Sequence, residues 1–132
     1  MLHRLVSGFF ISLLTAGYIS TPAAAVGDLQ QIQVVGAKSD DATAFCADFN
    51  LTNREASRVL KAAQEITRHD YLEHFDFLPC LVTGTGRLRD SPIHWEIRAG
   101  GNGTITKSDG TVIFLGCEKC KESFGRAGAV PK

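Results

Sequence analysis

Ile93-His94-Trp95-Glu96-Ile97-Arg98-Ala99 is the stretch on which the fold turns. Ile93, Trp95, Ile97 and Ala99 occupy every second position, and His94, Glu96 and Arg98 fill the places between. Successive side chains of a strand point to opposite faces, so this pattern predicts a strand with one buried and one wet side. The same period extends both ways. Leu81 to Arg89 reads as the strand before it, with Gly84 and Gly86 implying a close neighbour or a bulge, and Arg89-Asp90-Ser91-Pro92 as the turn between. Downstream, Gly100-Gly101-Asn102-Gly103 turns the chain and Thr104-Ile105-Thr106 forms a short strand. Ser108-Asp109-Gly110 then makes a tight turn into the wholly apolar strand Thr111 to Gly116.

Upstream of the strands the period becomes helical. Thr52-Asn53-Arg54-Glu55 has the form of a capping box, in which the threonine oxygen accepts from a free amide and the glutamate reaches back to the cap. From there to about Ile66, Ala56, Val59, Leu60, Ala63 and Ile66 share one face, and Arg54, Arg58, Lys61 and Glu65 the other. Thr67-Arg68-His69-Asp70 repeats the cap ahead of a short helix over Asp70 to Phe75. Asp28 to Ala37 alternates only weakly and fits either a first strand, at an edge, or an ordered arm. The fold expected is α+β: one or two N-terminal helices packed on one face of a four-stranded antiparallel meander, stapled by disulfides.

The N-terminus predicts where the domain works. Arg4 precedes an apolar stretch from Leu5 to Ile19, and Ala23-Ala24-Ala25 supplies the small residues of a signal-peptidase site. Residues 1–25 read as a cleavable signal peptide, leaving Val26 to Lys132, 107 residues, as a single exported domain whose tail, 121–132, is expected to fray. Without the leader the chain has 13 basic and 14 acidic residues, a balance that argues against a nucleic-acid binder. No membrane span is expected after cleavage.

Cys46, Cys80, Cys117 and Cys120 form an even set, which in a small exported domain implies a disulfide framework. In a four-strand meander the first strand starts at the end where the last one finishes. That places Cys80 and Cys117 at one end of the sheet and favours Cys80–Cys117 with Cys46–Cys120. Cys46–Cys80 would leave Cys117 and Cys120 to each other in a short ring, a spacing more often redox-active than structural. A thioredoxin-like reading of Cys117-Glu118-Lys119-Cys120 needs a strand before the pair and a helix opening at it. A metal reading needs two further ligands, for which Cys46, Cys80 or His94 could join Cys117 and Cys120.

No catalytic constellation stands out. His69 and His74 are five apart, one too many for the two-histidine zinc helix, and no serine lies in a Gly-x-Ser-x-Gly elbow. The turn glycines do not open a helix, so they form no phosphate cradle, and no cofactor is implied. The candidate site is the sheet face opposite Trp95. The alternation assigns Thr83, Thr85, Arg87, His94, Glu96, Arg98, Thr104 and Thr106 to it, with Thr85, Arg87, His94, Glu96 and Arg98 as the binding set.

Phe75-Asp76-Phe77-Leu78-Pro79-Cys80, Trp95-Glu96-Ile97-Arg98 and Leu115-Gly116-Cys117-Glu118-Lys119-Cys120 together give a pattern that resembles a group of small exported bacterial proteins. The resemblance implies a bacterial periplasmic or secreted setting and a role for the cysteines, and it carries no activity. The function expected is a non-catalytic binding module, of the inhibitor or immunity type, acting on a protein partner. The alternative is a metal-binding or thiol-redox protein using the Cys-x-x-Cys pair.

Overall fold

The computed structural model describes Gly17 and residues 26–124; the predicted signal segment otherwise lies outside the described residues, as do residues 125–132. The alternating stretch is a strand, Ser91–Arg98 (β4), and it sits inside a larger sheet than the sequence predicts. Cys80–Leu88 (β3), Asn102–Lys107 (β5) and Val112–Gly116 (β6) pair with it in sequence order, as the meander requires. Two further strands close the edges: Leu29–Ser39 (β1) pairs with β3, and Gln64–Ile66 (β2) pairs with β6. The result is one six-stranded antiparallel sheet in the order β1-β3-β4-β5-β6-β2, with few and short helices, not a four-stranded meander preceded by helices.

Both added strands have a physical reason. β1 alternates weakly because its register against β3 shifts twice, between Gln30 and Gln33 and between Val34 and Gly36, and Gln31 takes a φ of 54°. Each shift breaks the period that would announce a strand. The capping box at Thr52 forms as expected, with Glu55 N donating to Thr52 Oγ1 at 3.1 Å and Thr52 N to Glu55 Oε1 at 3.3 Å. The helix it starts, Asn53–Ala62 (α1), stops short of Ile66 because Ala63 turns extended, at φ −67° and ψ 151°. Ile66 then lies opposite Phe114 in β2, where helical spacing would have stacked it beside Ala63.

The chain leaves β1 at one edge, crosses the sheet as α1 and enters β2 at the other. It returns through Arg68–Glu73 (α2), capped by Thr67, whose Oγ1 accepts from Asp70 N at 3.0 Å. The two helices lie on opposite faces, contrary to the expectation of one helical face. Leu60 and Ala63 of α1 pack with Ile97 and Leu115 on the Trp95 side. Tyr71 of α2 meets Phe114 on the other, at 5.0 Å between ring centroids.

The core is on the α1 side, where Trp95, Phe49, Leu60, Ile93, Ile105, Leu115 and Val82 are all but inaccessible. Trp95 fixes the middle of the sheet. Its Nε1 donates to Thr85 O at 2.9 Å, and its ring occupies the space that a Cβ on Gly84 would need, 2.1 Å from such an atom. Burial of these side chains contributes roughly 1.5–3 kcal/mol each. Past Cys117 the chain continues as a helix, Glu118–Phe124 (α3), whose Phe124 ring packs edge-on against Phe49 at 5.3 Å; the rest of the tail expected to fray, 125–132, lies outside the described residues.

The disulfides are Cys46–Cys80 and Cys117–Cys120, each with Cα atoms 5.2 Å apart, which corrects the expected pairing. Cys80 and Cys117 do sit at one end of the sheet, but β4 and β5 lie between their strands. Three strand spacings amount to about 14 Å, twice what a disulfide can bridge. Cys80 is instead opposite Ser39 at the end of β1, and Asp40 N donates to Pro79 O at 3.0 Å, so the loop after β1 brings Cys46 back to it. Two disulfides are consistent with an oxidising, exported location. Among the described residues, no helix is long and apolar enough to cross a membrane.

Candidate binding face

The register of β3, β4 and β5 builds the candidate face directly. Thr85, His94 and Thr106 align across three strands in one row, and Thr83, Glu96 and Thr104 in the next. All six alternate with residues that pair in the Trp95 plane, so they share the side opposite the core. Gln33 of β1 extends the first row at one edge, and Phe114 of β6 extends the second at the other. Sequence reading missed both. The β1 bulges hid Gln33, and Phe114 belongs to a strand apolar on both sides, which gives no parity signal.

The five proposed binding residues part company here. Thr85, His94 and Glu96 stay together on the open rows. Their side chains, like those of Thr104 and Thr106, make no hydrogen bond or ion pair within the chain among the described residues. Arg87 is on the same side but bends to the hairpin turn, where its guanidinium donates to Asp90 O. That turn consists of Arg89 and Asp90, both with positive φ (49° and 66°), the handedness that matches the twist of the flanking strands.

Arg98 is no surface residue. Only 6% of it is exposed. Its Nη2 donates to Asp40 Oδ2 at 2.7 Å, its Nη1 donates to Leu78 O at 3.1 Å, and the guanidinium stacks 4.1 Å from the Phe77 ring centroid. Burial alone would lower its pKa, but hydrogen bonds involving Asp40 and Tyr71 outweigh it and hold the group above its ordinary value. The α2 segment and the loop after it have closed over this end of the face, a non-local event that alternation within β4 cannot announce.

The metal alternative loses its geometry. Cys117 and Cys120 are bonded to each other, and His94 stands level with Thr106, four residues along β5 from Asn102, which pairs with the Gly116 that precedes Cys117. Among the described residues, no three His, Cys, Asp or Glu side chains are placed to hold a metal ion. What the face offers is a set of hydroxyls, one imidazole and one carboxylate on three adjacent strands of the sheet.

No family model, curated protein or solved structure matches this chain. His69 lies in α2, and His74, at its C-terminal cap, contacts the Glu118 carboxylate at the start of α3. That contact ties two elements of the closed end together and leaves no paired-histidine site.

Proposed function

We propose that the domain is exported, loses residues 1–25, and serves as a non-catalytic binding module that recognises a protein partner through the open rows of its sheet. The observation that carries this reading is the set Thr85, His94, Glu96, Thr104 and Thr106. These are five polar side chains on three adjacent strands with no partner among the described residues. A pre-formed sheet offers such groups with little ordering cost on association, and the six-stranded scaffold and long-loop disulfide hold them in register. An inhibitor or immunity protein that covers a partner's cleft needs this kind of fixed, chemically inert surface.

The test is affinity capture from a periplasmic extract with three forms of the exported protein: wild type, Thr85→Arg on the face, and Lys61→Glu on the exposed side of α1. One protein retained by wild type and Lys61→Glu but lost by Thr85→Arg is the expected result. Equal retention by all three moves recognition off this face.

A further inference from the structure

We infer that Cys117–Cys120 is a reversible disulfide, opened by a small thiol that enters beside Cys117 and expels Cys120 as the leaving thiolate. The inference uses none of the face residues and stands apart from the binding proposal. Its first ground is the division of labour between the two bonds. Cys46–Cys80 closes 34 residues and ties the loop after β1 to the start of β3, whereas Cys117–Cys120 closes three. Stabilisation through the unfolded chain grows with loop length, so the long loop is the staple and the short one adds least to the fold. The pair also follows β6 directly and lies at the opening of α3, the strand-then-helix setting that the sequence did not show.

The second ground is access. Cys117, itself 4% exposed, lines a cleft of about 480 Å³ with Gln64, Asp70, His74, Glu118 and Lys119. Cys120 lines a separate cleft of about 240 Å³ on the α1 side, with Glu55, Arg58 and Lys119. The bond therefore lies between an entry for the attacking group and a compartment with two cations and one carboxylate for the departing one. Neighbouring cations favour a thiolate, and a better leaving group speeds exchange.

Cys46–Cys80 offers the opposite. Cys46 is half-buried and approachable, but attack there expels Cys80, which is as buried as Cys117 and Cys120 and whose Sγ lies 3.8 Å from the Phe45 carbonyl oxygen. A thiolate forming in that place meets the negative end of a carbonyl dipole. Both sulfur pairs are oxidised in the structure; Cys120, unlike Cys80, shares its cleft with Arg58 and Lys119.

The exchange balances with a monothiol such as glutathione. Its thiolate attacks Cys117 Sγ, the new S–S bond forms as the Sγ–Sγ bond breaks, and the electron pair leaves on Cys120. A second glutathione thiolate attacks the glutathione sulfur of the mixed disulfide, releasing oxidised glutathione and the Cys117 thiolate. Two glutathione thiols are oxidised, one protein disulfide is reduced, and the protons lost by the glutathiones are available to the two cysteines.

The deciding experiment equilibrates the exported protein in buffers of rising reduced-to-oxidised glutathione ratio, blocks free thiols by alkylation and maps them by mass spectrometry. Cys117 and Cys120 are expected to become alkylated at a ratio at least about tenfold lower than Cys46 and Cys80, with the near-ultraviolet signal of Trp95 retained. Joint opening of the two pairs, earlier opening of Cys46–Cys80, or loss of the Trp95 signal as Cys117–Cys120 opens overturns the inference. Direction is tested by trapping the mixed disulfide of the wild-type protein after brief exposure to reduced glutathione, with alkylation and mass mapping: glutathione on Cys117 with Cys120 alkylated is expected, and glutathione on Cys120 with Cys117 alkylated overturns the assigned leaving group.

Discussion

At one end of the sheet face, Arg98 is covered by Phe77, tied to Asp40 and 6% exposed; two residues earlier on the same strand and the same side, Glu96 has no partner among the described residues. Alternation treats the two alike, and their fates differ because a segment distant in sequence lies over one of them. Strand parity assigns a side of the sheet. It does not assign water. Which half of a polar face becomes scaffold and which half stays open is settled by the loops that cross it, here the segment between α2 and β3 and the loop after β1, joined by Cys46–Cys80.

The sharpest way to break this comparison is at its closed end. Arg98→Ala removes a charge-assisted bond, a second bond to Leu78 O and the stack on Phe77. A pair buried on both sides costs roughly 3–5 kcal/mol to break, but Asp40 is about half exposed, so a loss of about 2–3 kcal/mol in a denaturant titration is expected. Arg98→Glu should do worse, since it sets a second carboxylate beside Asp40. An unchanged midpoint in either variant means that the closed end is not structural.

Phe77→Ala is the milder probe. The ring is half exposed, packs edge-on to Tyr71 at 5.8 Å and covers the guanidinium, so its removal should cost about 0.5–2 kcal/mol. The two variants share a partner and should not add. A double variant equal to the sum of the singles would mean that Phe77 and Arg98 act independently, contrary to the lid described here.

Much of this arrangement was written locally. The capping box at Thr52, the cap at Thr67, the four consecutive strands and the side occupied by Trp95 all rest on residues close in sequence. The illegible parts are non-local. Gln64–Ile66 carries no glycine or proline to end the helical pattern before it, and only pairing with Phe114–Gly116 makes it a strand. β1 conceals its period behind two register shifts. The cysteine pairing fails for a related reason: which end of a sheet a residue occupies follows from connectivity, but how many strands lie between two residues limits the bond. Of the five residues read as a binding set, three remain open, one folds back on its turn and one belongs to the interior.

The smallest effect on stability is expected at the open end, and it is the one that bears on function. Replacing Glu96 with lysine and His94 with glutamate changes the charge at the two middle positions of the face. Neither side chain makes a bond among the described residues that the fold would lose, so the unfolding free energy should change by no more than about 0.5 kcal/mol. Partner affinity, measured by titration calorimetry against the captured protein, should fall at least about tenfold, or about 1.4 kcal/mol. The pairing of readouts separates this end from the other: Arg98→Ala should weaken binding only as far as it unfolds the domain, whereas the Glu96 and His94 double variant should weaken binding in a fully folded one. A double variant that loses several kcal/mol of stability would make the open rows structural after all. One that keeps both stability and affinity would leave the face without a role in recognition.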